Sequence, residues 1–179
     1  MKIQNHCLTE AQQIPSPNFN LRPNEEDISL IVIHNISLPP NQFTGNYITQ
    51  LFCNQLDPKD HPSFESIHTM TVSAHLLIRR DGHIIQYVPF NKRAWHAGVS
   101  TYQSRDRCND FSIGIELEGT DTIAYTKAQY LQLATIIQLL IQCYPRLNKE
   151  RLTGHSDIAP DRKTDPGDSF SWTHLLNQL

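Results

Sequence analysis

The chain has 179 residues, enough for one domain that buries roughly 70% of the surface its unfolded form exposes. Hydrophobic residues make up 39% and charged residues 18%, the balance of a globular enzyme and not of a disordered chain. With a net charge of −3 and no basic run longer than Arg79-Arg80 or Arg162-Lys163, the sequence excludes the electrostatic footprint of a nucleic-acid or anionic-membrane binder.

Along the chain, residues 1–10 lack the apolar core of a secretory signal. No window approaches the ~20 apolar residues of a membrane span. Cys7, Cys53, Cys108 and Cys143 are widely separated without a C-x-x-C pair, so reduced thiols and a cytoplasmic location are expected. Residues 28–34, 74–80, 83–89 and 112–118 read as strands, with Asp81-Gly82 as a two-residue hairpin turn between the middle pair. Shorter strands are expected at 94–96 and leading into Gly154. The longest expected helix is 126–144. Thr126 and Gln129 form a capping box, Tyr130, Leu133, Ile137, Leu140, Ile141 and Tyr144 recur at helical spacing, and Pro145 ends the run. Residues 46–53 and 171–179 are shorter helix candidates. Hairpins mixed with helices predict an α/β fold, a sheet with helices on its faces.

The richest stretch for chemistry is Gly154–Gly167, where one short loop offers His155, Lys163 and Asp165 with Pro and Gly bending the backbone around them. Neutral imidazole and carboxylate oxygen are good Zn²⁺ ligands, and catalytic zinc sites use three protein ligands plus water. A third ligand is offered by His34, where the apolar run Leu30-Ile31-Val32-Ile33 ends in a histidine, as a rigid scaffold presents a ligand. In 112–118, alternation puts Ile113, Ile115 and Leu117 on one face and Gly114, Glu116 and Glu118 on the other. Either carboxylate can face a cleft, or both can line a solvated face; alternation does not choose. His75 and His96 compete with the other imidazoles as ligands, although His75 also reads as a satisfied core residue. Trp95 can stack on a sugar or simply pack. His61, His68 and His83 sit in polar or turn-like surroundings and carry no assigned role.

The segments Ile33-His34-Asn35, Ser73-Ala74-His75-Leu76-Leu77-Ile78, Trp95-His96-Ala97-Gly98, Ile113-Gly114-Ile115-Glu116, Thr153-Gly154-His155 and Arg162-Lys163-Thr164-Asp165-Pro166-Gly167 occur in the order seen in zinc N-acetylmuramoyl-L-alanine amidases. The chain resembles that family from about Ile14 to Trp172. Pro15-Ser16-Pro17, His34-Asn35-Ile36-Ser37-Leu38-Pro39-Pro40 and the stretch 109–120 are most similar to its branch acting on 1,6-anhydro-N-acetylmuramyl-L-alanine. The resemblance implies a single zinc amidase domain over 1–179, with about 1–27 as an N-terminal extension wrapping the core. It implies a central mixed sheet flanked by helices, like that of peptidoglycan recognition proteins and phage T7 lysozyme. It further implies one Zn²⁺ per chain on His34, His155 and Asp165, Glu116 as general base, and Lys163 on the oxyanion. Asn35, Trp95 and Arg107 match substrate-contact positions, while Thr71 stands where the family commonly has arginine. The expected substrate is a small soluble anhydro-muropeptide from cell-wall recycling. The expected protein is a monomer with no nucleic-acid or membrane partner. Two rival readings remain: a phage-type lytic amidase acting on intact peptidoglycan, and a zinc-free binding module, which would lack a ligand that is present here.

Overall fold

The computed structural model describes residues 1–179. Its centre is a six-stranded mixed sheet. In chain order the strands are β1 (Gln12–Gln13), β2 (Leu30–Ile36), β3 (Leu76–Ile78), β4 (Ile84–Gln86), β5 (Ser112–Glu118) and β6 (Leu152–Gly154). They lie side by side as β6-β2-β5-β3-β4-β1. β6, β2, β5 and β3 run parallel, β4 turns back antiparallel to β3, and β1 runs parallel to β4. The helices are α1 (Tyr47–Phe52), α2 (Lys127–Cys143), α3 (His155–Ile158) and α4 (Trp172–Leu176).

Parallel strands covered on both faces need apolar sequence on both faces. Leu30, Ile31, Val32 and Ile33 supply it in β2, and every residue of β5 is buried. On one side Ile31, Ile33, Ile113 and Ile115 pack with Leu133, Ile136, Ile137 and Leu140 of α2. Burial of such side chains contributes about 1.5–3 kcal/mol each, so this face carries much of the stability. The other face holds Leu30 and Val32, and alternation places His34, Ser112, Gly114 and Glu116 there as well. Polar chemistry is thus gathered on the side away from α2.

The capping box of α2 is present: Thr126 Oγ1 accepts from Gln129 N at 3.1 Å and Gln129 Oε1 accepts from Thr126 N at 3.1 Å. The same Gln129 amide donates to Ile78 O and Glu118 O, tying the helix start to the ends of β3 and β5. At the other end Tyr144 N still reaches Leu140 O, and Pro145 follows.

Several boundaries differ from the sequence reading. β2 starts at Leu30 and continues past His34, because β5 extends to Glu118 and pairs it with Ile36. The strands expected over 74–80 and 83–89 contract to three residues each. Arg79 and Arg80 are drawn into the turn, and Pro89 has no N–H with which to lengthen a ladder. The turn itself has three residues, Arg80-Asp81-Gly82, and not two. Arg79 N donates to His83 O and Gly82 N to Arg79 O, both at 2.9 Å, with Gly82 at φ +88°. That is a type I turn followed by a left-handed residue, a conformation that glycine adopts without a Cβ clash. The short strand expected at 94–96 lies at Lys92–Ala94 and pairs with Phe19–Leu21 outside the main sheet.

Candidate active site

Register builds the site. β2 and β5 place His34 directly beside Glu116, and β6 pairs Gly154 with Ile33, so the next residue, His155, emerges level with His34 at the start of α3. All three side chains therefore stand towards the carboxyl ends of parallel strands, where open α/β sheets hold ligands. Asp165 approaches from the loop after α3. Its backbone O accepts from Ser156 N at 2.9 Å, and the neighbouring Pro166 O accepts from Tyr125 Oη at 2.7 Å and Asn35 Nδ2 at 3.1 Å.

Three atoms converge. His34 Nδ1 lies 3.0 Å from His155 Nδ1 and 2.9 Å from Asp165 Oδ2, and His155 Nδ1 lies 3.1 Å from Asp165 Oδ2. Tetrahedral ligands with bonds of about 2.0–2.1 Å stand about 3.3 Å apart, so this near-equilateral triangle has the size of one face of a zinc site. The proton inventory points the same way. His155 Nε2 is 3.1 Å from Ala97 O and must carry a proton to donate there, which leaves Nδ1 of the neutral ring with a lone pair. His34 Nε2 faces His96 Nδ1 at 2.9 Å. The His155 Nδ1 lone pair, aimed at a carboxylate oxygen 3.1 Å away, repels it unless a cation lies between them. These residues could hold a metal ion.

Burial sets the electrostatics. His34, 1% exposed, is pushed down to about 4 by desolvation, with Asp165 opposing. For Asp165 burial acts upward, but the contacts with His155 and His34 outweigh it and hold the carboxyl below the usual carboxylate range. Glu116 moves the opposite way: desolvation, then the Asp165 charge, raises it well above a normal glutamate, against the pull of Lys163. Its Oε2 is buried without a hydrogen-bond partner. Such an orphan is costly in a core and useful in a site, where the missing partner is substrate or solvent.

A cavity of ≈ 210 Å³ opens beside this group, with His34, Glu116, His155, Lys163 and Asp165 on its polar side and Trp95 and Phe52 on its apolar side. A mainly polar trough of ≈ 510 Å³ adjoins it, sharing Asn35, Lys163 and Asp165. The structure therefore brings His34, His155, Asp165, Glu116, Lys163, Asn35 and Trp95 together. Both hydrogens of the Asn35 amide are engaged, on Asp121 Oδ1 and Pro166 O. Trp95 Nε1 donates to Asn20 Oδ1 at 2.9 Å, which orients the ring at the cavity edge. Arg107 does not join them: it is exposed, has φ 62°, and lines neither space. Thr71 borders a third hollow that shares Trp95 and Lys163.

The two carboxylates of β5 separate clearly. Glu118, on the same face but further along the strand, does not line the cavity: its Oε2 accepts from Arg80 N at 3.0 Å and its Oε1 lies 3.5 Å from Arg79. His75 is a fully buried core imidazole. Nδ1 accepts from Gly114 N at 3.0 Å and Nε2 donates to Lys92 O at 3.0 Å. His96 is no member of the triangle but stands behind His34. Arg22, which sequence reasoning passed over, runs under the sheet as a 4% exposed arginine donating to the carbonyls of Phe90, Asn109, Asp110 and Ser112. A lone arginine in a polar N-terminal stretch carries no sequence signal for that role.

The chain is similar to known proteins over most of its length. A family model described as N-acetylmuramoyl-L-alanine amidase matches residues 24–168. The 1,6-anhydro-N-acetylmuramyl-L-alanine amidase AmpD of Escherichia coli K12 is 60% identical over 175 residues, covering 98% of this chain and 95% of that one. A crystal structure of a selenomethionine AmpD derivative superposes with a TM-score of 0.97 at 57% identity, over 100% of this chain and 99% of the other. The amidase AmiD from E. coli, solved with anhydro-N-acetylmuramic acid-L-Ala-D-γ-Glu-L-Lys, matches at a TM-score of 0.61 and 30% identity, over 85% of this chain and 57% of that one. The match covers strand, cavity and loop alike, and the chain belongs to the N-acetylmuramoyl-L-alanine amidase family.

Proposed function

We propose that this chain is a zinc-dependent amidase that hydrolyses the amide between the lactyl group of 1,6-anhydro-N-acetylmuramic acid and the L-alanine of the stem peptide, in cytosolic recycling of cell-wall muropeptides. The observation that carries the reading is the triangle of His34, His155 and Asp165 beside the orphaned Glu116 carboxylate in one cavity. The substrate follows from relatives: AmpD of E. coli shares 60% identity along nearly the whole chain, and AmiD was solved with an anhydro-muramyl peptide.

His34, His155 and Asp165 would hold one Zn²⁺ per chain. When bound, the ion acts as a Lewis acid that polarises the scissile carbonyl and lowers the pKa of water towards ~7. Glu116 takes the proton from the attacking water at Oε2 and passes it to the leaving nitrogen. The desolvation that raises its proton affinity suits a base working near neutral pH. Lys163, exposed but on the cavity wall, faces its ammonium towards the oxyanion as negative charge develops. Trp95 offers an apolar surface to the sugar. Asn35 holds the Asp165 loop against the 120s loop through Pro166 O and Asp121. Arg162, exposed on the trough wall, offers its guanidinium to stem-peptide carboxylates, while Arg107 lies outside both spaces.

Mass spectrometry of products tests this reading. Anhydro-N-acetylmuramyl peptides should yield the anhydro-sugar acid and a free peptide beginning with L-alanine, and chelation should stop the reaction. Rapid release of peptide from intact sacculi, with little action on the small substrates, would instead support a lytic amidase.

A further inference from the structure

We infer that His96 is a positioning residue that fixes the tautomer and aim of His34, through a hydrogen-bonded series running from His34 to His96 to Ser112. The inference rests on the zinc reading of the triangle given above. To bind through Nδ1, the neutral His34 ring must keep its proton on Nε2, and that N–H needs an acceptor. His96 Nδ1 lies 2.9 Å away. Accepting there puts the His96 proton on its own Nε2, which is 3.2 Å from Ser112 Oγ. Each group then has one assigned proton and one assigned lone pair.

Two independent features hold His96 in that place. Its backbone N–H and that of Ala97 donate to Asn109 Oδ1, at 3.2 and 2.8 Å. More tellingly, a Cβ on Gly114 would lie 2.4 Å from His96 Cγ. Every residue of β5 is buried, and a glycine inside a strand weakens it. Its presence between Ile113 and Ile115 is explained by the imidazole that fills the space. The rings of His34 and His96 are 5.0 Å apart and nearly perpendicular, at 80°. His34 is 1% exposed, so few other acceptors could serve its Nε2–H. Packing alone requires only an aromatic ring at 96, whereas tautomer control requires an acceptor at the Nδ1 position.

That difference can be measured without turnover. Apoprotein is titrated with Zn²⁺ against a chromogenic chelator for the wild type, His96→Phe, His96→Asn and His96→Ala, and the melting temperature of each apo form is recorded. His96→Phe keeps the ring but leaves the His34 Nε2–H unpaired, so the apo form should melt somewhat below the wild type, while zinc affinity should fall about 10–100-fold, as for loss of a partner behind a metal ligand. His96→Asn, whose Oδ1 falls near the lost Nδ1, should recover most of that affinity. A Phe variant that binds zinc as tightly as the wild type overturns the inference, as does an Asn variant no better than Phe. If His96→Phe does not fold, the Asn and Ala variants decide by the same rule. A wild type that binds no zinc, or an Asp165→Ala variant that binds it undiminished, overturns the zinc reading itself; intact binding by the wild type with no effect at position 96 overturns only the role of His96.

Discussion

The two halves of the site are held by different physics. His34 and Glu116 sit on adjacent central strands, and their spacing is a consequence of parallel register, backed by a ladder of backbone hydrogen bonds and by the apolar packing of α2 on the reverse face. Asp165 and Lys163 sit on a loop. Their position depends on separate bonds: to Pro166 O from Tyr125 and Asn35, from Ser156 N to Asp165 O, and from Lys163 N to Ala159 O. A sheet loses register only as a whole, while a loop can yield one bond at a time. Substitutions on the strand side should therefore change chemistry with little change of geometry, and those behind the loop should change geometry in graded steps.

The largest expected effect falls where the two halves meet. Asp165→Ala removes the one ligand that the loop contributes, and both zinc content and turnover should drop to background while the strands keep the fold. Circular dichroism with elemental analysis checks both at once. Next, Glu116→Gln preserves shape and should retain zinc, yet lower turnover by roughly 10²–10⁴-fold, the range for a general base. Glu118→Gln, two residues along the same strand, sharpens the contrast: it weakens the contact with Arg79, costs on the order of 1 kcal/mol of stability, and should leave turnover near the wild-type value. The reverse pattern in steady-state kinetics would mean that the catalytic carboxylate has been misassigned.

Lys163→Ala should lower turnover about 10²–10³-fold, or ~3–4 kcal/mol, as for loss of one oxyanion donor. KM should move much less, since a neutral carbonyl attracts the cation weakly. Zinc measured on the same preparation separates loss of charge from loosening of the neighbouring Asp165. The smallest effect is expected behind the loop. Tyr125→Phe removes the hydroxyl bonded to Pro166 O, which should cost about 1 kcal/mol of stability and weaken zinc far less than Asp165→Ala does. If Tyr125→Phe abolished metal binding, the loop would hang on one bond and the graded picture would fail.

What could be read from the chain follows the same division. The capping box at Thr126 and Gln129, the α2 stripe, the apolar run of β2 and the alternation of β5 are local patterns, and the fold class came from them. The ligand candidates were legible because an apolar strand bearing one histidine, and a loop dense in titratable groups, are unusual. The choice of Glu116 over Glu118 needed more than alternation, since both point to the same face; the Arg79 and Arg80 clamp that separates them comes from the turn after β3. The turn itself was misjudged by one residue because Asp81-Gly82 fits both two- and three-residue hairpins. The His34, His96 and Ser112 series joins positions far apart in sequence, and its only local trace was a glycine in mid-strand at 114. The bonds that occupy the Asn35 amide belong likewise to tertiary contacts, and periodicity has no access to them.

The most direct test of the account is to load the apoprotein with stepwise additions of Zn²⁺ and measure bound metal and hydrolysis of an anhydro-muramyl peptide on the same samples. Turnover should rise in proportion to zinc and stop rising at one ion per chain. Full turnover in samples shown by elemental analysis to be metal-free would contradict the central claim.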